Sequence, residues 1–223
     1  MTKILIILPA YNEGKIITKV INQIKKVGFQ DILIIDDGST DETVKSAKKA
    51  GARVLGHIIN RGAGAATSTG LTYAKINNYD YAIFMDSDGQ HNPKDIKKLL
   101  NYADKYDVVI GSRMIGNLEN MPIQRRIANF IGSLITKLFF GLFVRDSQSG
   151  FKIFNKNAIR KINVTFDRYE FCSEIIGEIH NKKLSFKEVP IEVIYSTHSL
   201  EKKHSGQSIK NGIKMIIKFI LRR

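Results

Sequence analysis

"AIFMDSDGQHNP", residues 82–93, decides the fold. The apolar run Ala82–Met85 stops at two acids one residue apart, Asp86 and Asp88, and no lysine or arginine lies between Ile76 and Pro93. A run of that length bounded by turn residues predicts a buried strand. Pro93 suits the first turn of a following helix, 93–106. A strand that ends in acids and passes into a helix is the repeating unit of an open parallel sheet, in which ligands gather beyond the carboxyl ends of the strands.

The same rhythm recurs on both sides. "KILIILPAYN" (3–12), "DILIIDDGSTDE" (31–42), "ARVLGH" (52–57) and "DVVIGSR" (107–113) predict four further strands. Between them, 14–28 carries Ile16, Ile17, Val20, Ile21, Ile24 and Val27 at helical spacing before Gly28, 42–51 closes on Gly51, and 63–75 is a helix of small residues. Strand–helix alternation predicts an α/β fold with a mostly parallel sheet covered on both faces. After Met114 the rhythm changes: a long apolar helix or helix pair (123–144), then "DSQSGFKIF" (146–154), helices near 156–161 and 170–181, and a strand in "FKEVPIEVIY" (186–195). The chain is expected to be one domain, with 1–113 a nucleotide-binding half and 114–223 an acceptor and membrane half.

Composition narrows the class. The 223 residues include 43% hydrophobic and 25% charged, the balance of a folded globular protein. The single cysteine, Cys172, excludes an internal disulfide and a thiolate zinc site. Thirty-five lysines and arginines against 21 acids give +14, which points to a polyanionic partner: nucleic acid, an anionic membrane or phosphorylated substrates. A lysine-rich surface of a protein from a hot habitat would give the same surplus. No signal peptide is expected. No transmembrane helix is expected either: the apolar stretch Ile127–Val144 is broken by Lys137, below the ~20 uncharged residues a span needs.

Every predicted strand end carries polar chemistry: Tyr11-Asn12-Glu13, Asp36-Asp37-Gly38, His57 to Gly64, Asp86-Ser87-Asp88 and Ser112-Arg113. Asp86, Asp88 and the amide oxygen of Gln90 are hard oxygen donors suited to Mg²⁺ or Mn²⁺, with a nucleotide diphosphate completing the coordination. A turn that caps the next helix is the alternative. An EF-hand loop is excluded, because its sixth and twelfth positions would be His91 and Lys97. Ser39 or Thr40 with Glu42 can form a capping box. That leaves Asp37 available to a base edge or ribose. "NRGAGAA" (60–66) offers helix N-terminal amides to a diphosphate. It follows the third strand, so it is no Rossmann fingerprint, and no P-loop is present.

Taken in order, "PAYNE" (9–13), "DDGSTD" (36–41), "NRGAGAA" (60–66), "DSDGQHNP" (86–93), "GSR" (111–113), "DSQSGFKIF" (146–154) and "EVPI" (188–191) resemble the family 2 glycosyltransferases of GT-A fold. Within that family the resemblance is to the polyprenyl-phosphate (dolichyl-phosphate) sugar synthases. It implies that Pro9, Tyr11, Glu13, Ile35 and Asp37 cradle the nucleotide. Asp86, Ser87, Asp88 and Gln90 would hold the diphosphate and its Mg²⁺ or Mn²⁺. Arg113 with Arg125 or Arg126 would hold the acceptor phosphate. Lys203, His204 and Lys210 would close on the donor phosphate. The chain departs from the family pattern at Gly89, often leucine, at Asn129, often serine, and at "KKHSGQSIK" (202–210), where an arginine and G-x-S-K are usual.

The implied reaction is sugar transfer, with inversion, from a nucleotide-diphosphate donor such as GDP-mannose or a UDP-hexose to a polyprenyl phosphate. A lipid phosphate is already anionic and needs no strong base. A sugar or protein hydroxyl acceptor would need one, for which Glu174 and Asp146 are the candidates. A nucleotidyltransferase would carry a basic glycine-rich first loop where Pro9–Glu13 stands. A nucleic-acid partner is not expected, because basic residues are not interleaved with aromatics. In the tail, Lys210, Lys214, Lys218 and Arg222 recur every four residues against an isoleucine face. Such a basic amphipathic helix can lie on an anionic bilayer. Peripheral attachment at the cytoplasmic face of the membrane is therefore expected, with Phe130, Phe139, Phe140 and Phe143 close to lipid.

Overall fold

The computed structural model describes residues 2–115, 121 and 123–194. Seven strands form one sheet in the order β3-β2-β1-β4-β6-β5-β7. They are β1 (Ile4–Ala10), β2 (Ile32–Asp36), β3 (Arg53–Gly56), β4 (Tyr81–Phe84), β5 (Val108–Ser112), β6 (Lys152–Asn155) and β7 (Phe186–Pro190). The helices are α1 (Ile17–Lys26), α2 (Thr43–Lys49), α3 (Ala63–Ile76), α4 (Asp95–Leu100), α5 (Ile123–Phe140), α6 (Lys156–Lys161) and α7 (Phe171–Asn181).

β1 is central because its run Leu5–Leu8 is apolar on both faces, the pattern of a strand covered from above and below. Leu5 and Ile7 join Leu33, Ile35, Phe84 and Phe154 in a layer closed by α3, α6 and α7. Ile6 and Leu8 join Ile32, Ile34, Ile83 and Ile153 in the opposite layer, under α1 and α4. α1 buries Ile17, Val20, Ile21 and Ile24, one stripe of a 3.6-residue repeat. It ends at Gly28, whose φ of +105° only glycine adopts freely.

The mostly parallel sheet is as expected, but the placement of β6 and the start of α2 were not read from the sequence. β6 inserts between β4 and β5 and runs antiparallel to both, while the other pairings are parallel. The capping box is absent: α2 begins at Thr43 with no side-chain cap bond from Glu42. Asp41 does the work instead, its carboxylate accepting the amides of Thr43 (2.9 Å) and Gly14 (2.9 Å). Ser39 is used elsewhere, accepting the Asn12 amide.

α5 is amphipathic in the inverted sense. Asn129, Ser133 and Thr136 are its buried residues. Ile127, Phe130, Ile131, Leu134 and Leu138 are exposed, Leu138 at 75%. Hydroxyls dock the helix: Thr136 Oγ1 lies 2.8 Å from Ser173 Oγ of α7, and Ser133 Oγ donates to the Arg145 carbonyl at 3.1 Å. No helix among the described residues is long and apolar enough to cross a membrane.

Candidate active site

β1 hydrogen-bonds β2 on one side and β4 on the other, so the connections diverge and leave a crevice beyond the strand ends. A cavity of about 520 Å³ lies there. Tyr11, Glu13, Asp37, Asn60, Asp86, Ser87, Asp88, Gln90 and Arg113 line it, so the polar strand ends of the sequence do converge.

The acids occupy the tip of β4. Asp88 Oδ1 accepts the Gln90 amide at 3.0 Å, and its Oδ2 accepts Gln90 Nε2 at 2.8 Å. Burial pushes the Asp88 carboxyl above the ordinary value, and the charge of Asp86 pushes it further. Asp86 is half exposed, with His91 Nε2 3.5 Å from its Oδ2. His91 Nδ1 accepts the Asp86 amide (3.2 Å), which places the ring proton on Nε2, facing the carboxylate. Ser87 Oγ donates to the Pro9 carbonyl at 2.7 Å and ties this turn to the end of β1. The acids do not cap α4, which begins at Asp95 after Asn92 has accepted the Lys94 amide.

Hard oxygen donors that repel one another, with neither carboxylate in a lysine or arginine ion pair among the described residues, fit a divalent cation. The segment leading into β6 makes room for it. A Cβ on Gly150 would lie 2.1 Å from Asp86 Oδ1, so only glycine lets that carboxylate sit where it does. Gln90 presents its amide nitrogen to Asp88, so its oxygen serves as a ligand only after the amide turns over.

The nucleotide side is more engaged than the sequence suggests. Asp37 Oδ1 accepts from His57 Nδ1 (2.8 Å) and the Arg61 amide (3.0 Å), and Oδ2 accepts the Gly62 amide (2.6 Å). The residue thus fastens the loop between β3 and α3. The expected diphosphate seat on α3 is covered too: the Ala65 amide donates to the Asp167 carbonyl at 3.0 Å. Gly64 meets the Phe166 carbonyl so closely that a Cβ there would sit 2.0 Å from its oxygen. Ile35 is fully buried in the apolar layer under α3 and does not line the cavity, because β2 alternates it inward. Pro9, Tyr11 and Glu13 do line it.

Cations form the remaining wall. Arg113 donates through Nε (2.8 Å) and Nη2 (2.7 Å) to Asp146, which also accepts the Arg113 amide. Burial alone would raise the Asp146 carboxyl, but the Arg113 guanidinium outweighs it and holds it below the ordinary range. Burial likewise works against the Arg113 charge, and Asp146 more than restores it. Glu188 of β7 supports this turn, accepting the amides of Arg145 and Asp146 at 3.1 Å each. Arg125 lines the cavity. Arg126 lies outside its lining and donates from Nε to the Met121 carbonyl. Both carboxylates considered as bases are structural. Asp146 is bound to Arg113, and Glu174 accepts the Thr165 and Phe166 amides.

Gln148, Gly150, Lys152, Arg168, Tyr169 and Cys172 also line the cavity. The sequence had marked only the motif "DSQSGFKIF", without roles for Gln148, Gly150 or Lys152. Its one available signal was a lysine inside an apolar strand. Lys203, His204 and Lys210, and the expected basic amphipathic helix of the tail, lie outside the described residues.

The family model for glycosyl transferase family 2 matches residues 5–163. An uncharacterised protein of Methanocaldococcus jannaschii is 41% identical over 99% of this chain and 92% of its own length. A UDP-N-acetylglucosamine–dolichyl-phosphate N-acetylglucosaminyltransferase of Methanococcus voltae is 35% identical over 98% and 95%. Polyprenol monophosphomannose synthase of Mycolicibacterium smegmatis is 27% identical over 98% and 87%. Among solved structures, glucosyl-3-phosphoglycerate synthase from Mycobacterium tuberculosis in complex with Mn²⁺ and UDP-glucose superposes with a TM-score of 0.66. That match has 19% identity and covers 98% of this chain and 77% of that one. The fold is GT-A.

Proposed function

The chain belongs to glycosyl transferase family 2, and from that premise we propose that it moves a hexose or N-acetylhexosamine from a nucleotide-diphosphate donor to a polyprenyl phosphate. The observation that carries the reading is one cavity walled by two acids just past the end of β4 and by cations on other elements. A sugar donor's diphosphate suits the first wall and an acceptor phosphate the second.

Asp86 and Asp88, with Gln90 once its amide has turned, would hold Mg²⁺ or Mn²⁺. The ion when bound supplies positive charge to the departing diphosphate. The chain does the rest. Pro9, Tyr11 and Glu13 wall the donor side, while Asp37 acts by fixing the loop that shapes that side. Arg113, oriented by Asp146, and Arg125 attract the acceptor phosphate and set its attacking oxygen beneath the anomeric carbon. Because Glu174 and Asp146 are committed to structural bonds, an acceptor that arrives as an anion is favoured over a hydroxyl. The M. voltae and M. smegmatis relatives, named for dolichyl-phosphate and polyprenol substrates, support the same choice.

The acceptor would be met at a membrane surface. Burying exposed apolar area in the bilayer interface is favourable by roughly 25 cal/mol per Å². The outward face of α5, with Phe130, Leu134 and Leu138, is the described surface suited to it. The functional test is a panel of nucleotide sugars offered with dolichyl phosphate and Mn²⁺ or Mg²⁺, following lipid-linked product. Transfer to free sugars but not to the lipid phosphate would sink the reading.

A further inference from the structure

Lys152 opens β6 in a position the strand reserves for apolar side chains. Its pairing partners are Phe84 on β4 and Ile110 on β5. The next residue on the same face, Phe154, belongs to the core layer under α7. The lysine is nevertheless 2% exposed, among the most deeply buried large side chains of the protein. Its Nζ donates to the Ser149 carbonyl. No carboxylate lies within ion-pair distance of it among the described residues. An ammonium carries three donors, and only the one to Ser149 is taken up among the described residues. Removing such a charge from water costs several kcal/mol unless it is paired.

That cost has an evident use. Lys152 lines the cavity beside Asp86, Arg113, Gln148 and Cys172. Arg113 meets an incoming anion with its charge already shared with Asp146, whereas Lys152 is in direct ion-pair contact with no carboxylate among the described residues and acts on Asp146 only at longer range. Its compact ammonium acts as a point charge, where the planar guanidinium presents a fixed fork of donors. We propose that Lys152 is a phosphate-binding residue, its ammonium taking an oxygen of a phosphoryl group held in the cavity. The inference deepens the proposed function and rests on it for the identity of the ligand, the phosphate being either the donor's or the acceptor's.

The test is Lys152→Met in the full chain, which keeps the volume and removes the charge. Calorimetry measures binding of two probes, a short-chain isoprenyl phosphate and UDP with Mn²⁺, beside the melting temperature without ligand. The expected result is at least tenfold weaker binding of one probe with an unchanged or higher melting temperature, since an underpartnered buried charge has gone. Loss confined to the isoprenyl phosphate assigns Lys152 to the acceptor, and loss confined to UDP assigns it to the donor. Unchanged affinity for both, no binding of either by wild type, or an affinity loss that tracks a lower melting temperature overturns the proposal. A wild type that binds the probes but transfers no sugar to any lipid phosphate refutes the function and leaves Lys152 standing.

Discussion

Gly150 stands against Asp86 with no room for a single carbon between them. They lie two residues beyond the Phe84–Lys152 pair that ends the antiparallel β4–β6 ladder, and a Cβ on Gly150 would come within 2.1 Å of Asp86 Oδ1 and 2.8 Å of its Oδ2. The acid is thus aimed into the cavity by a missing side chain on the segment that leads into β6. Gly150→Ala should push the carboxylate aside by an ångström or more and lower kcat/KM about 10²-fold. Steady-state kinetics across a Mn²⁺ titration would show it as a raised metal requirement with little change in circular dichroism. Wild-type metal dependence in the variant would mean that Asp86 holds no cation.

Asp88→Ala separates activity from stability. Its carboxyl is destabilised in its charged form by burial and by Asp86, so removing it relieves a repulsion. The expected outcome is loss of turnover with a metal-free melting temperature no lower than wild type, read by activity assay and differential scanning calorimetry.

Asp146→Ala should behave in the opposite way. It strips a buried guanidinium of a two-pronged partner at 2.7 and 2.8 Å and leaves the Arg113 amide unsatisfied. Breaking such a pair costs about 3–5 kcal/mol. Urea denaturation measures this directly. A cost below about 1 kcal/mol would show that Arg113 is not held by Asp146.

Acid stability should depend on Asp107. Burial raises its carboxyl, but hydrogen bonds from Asn157, Ser185 and Asn155 outweigh that and hold it below its usual 3.8. A depressed carboxylate contributes stability above its unfolded value, and that contribution is lost as pH falls through the folded one. Wild type should therefore exceed Asp107→Asn in stability at pH 6, with the gap closing below about pH 4. Urea midpoints measured from pH 7 to 3 give the comparison.

Leu138→Glu on the exposed face of α5 should leave the fold intact and reduce sedimentation with anionic liposomes several-fold, since a charge there opposes insertion. Equal sedimentation of wild type and variant would assign membrane contact to other residues.

Much of this was legible in the sequence because its signals are local. Strand runs such as Ile4–Leu8 and Ile32–Ile35 are apolar throughout and end in acids or turn residues, so the parallel units and the converging polar ends could be read directly. β6 could not be placed, because four residues carry no sign of which strands they will pair with. The helix predicted over 93–106 ends at Leu100, since the Asn101–Lys105 segment closes into turns. Asp37 looked available to a ligand, because nothing in "DDGSTD" shows that His57 and the Gly62 amide, 20 and 25 residues on, will claim it. The roles of Gly150 and Lys152 depend on which atoms face them across strands.

The central claim is that a divalent cation on Asp86 and Asp88 brings a nucleotide sugar to a lipid phosphate acceptor. The most direct measurement is transfer of labelled sugar from UDP-N-acetylglucosamine, UDP-glucose and GDP-mannose to dolichyl phosphate, with Mn²⁺ or with chelator. The account predicts a lipid-linked product from at least one donor, abolished by chelator and by Asp88→Ala. Undiminished transfer in chelator, or in that variant, would contradict it.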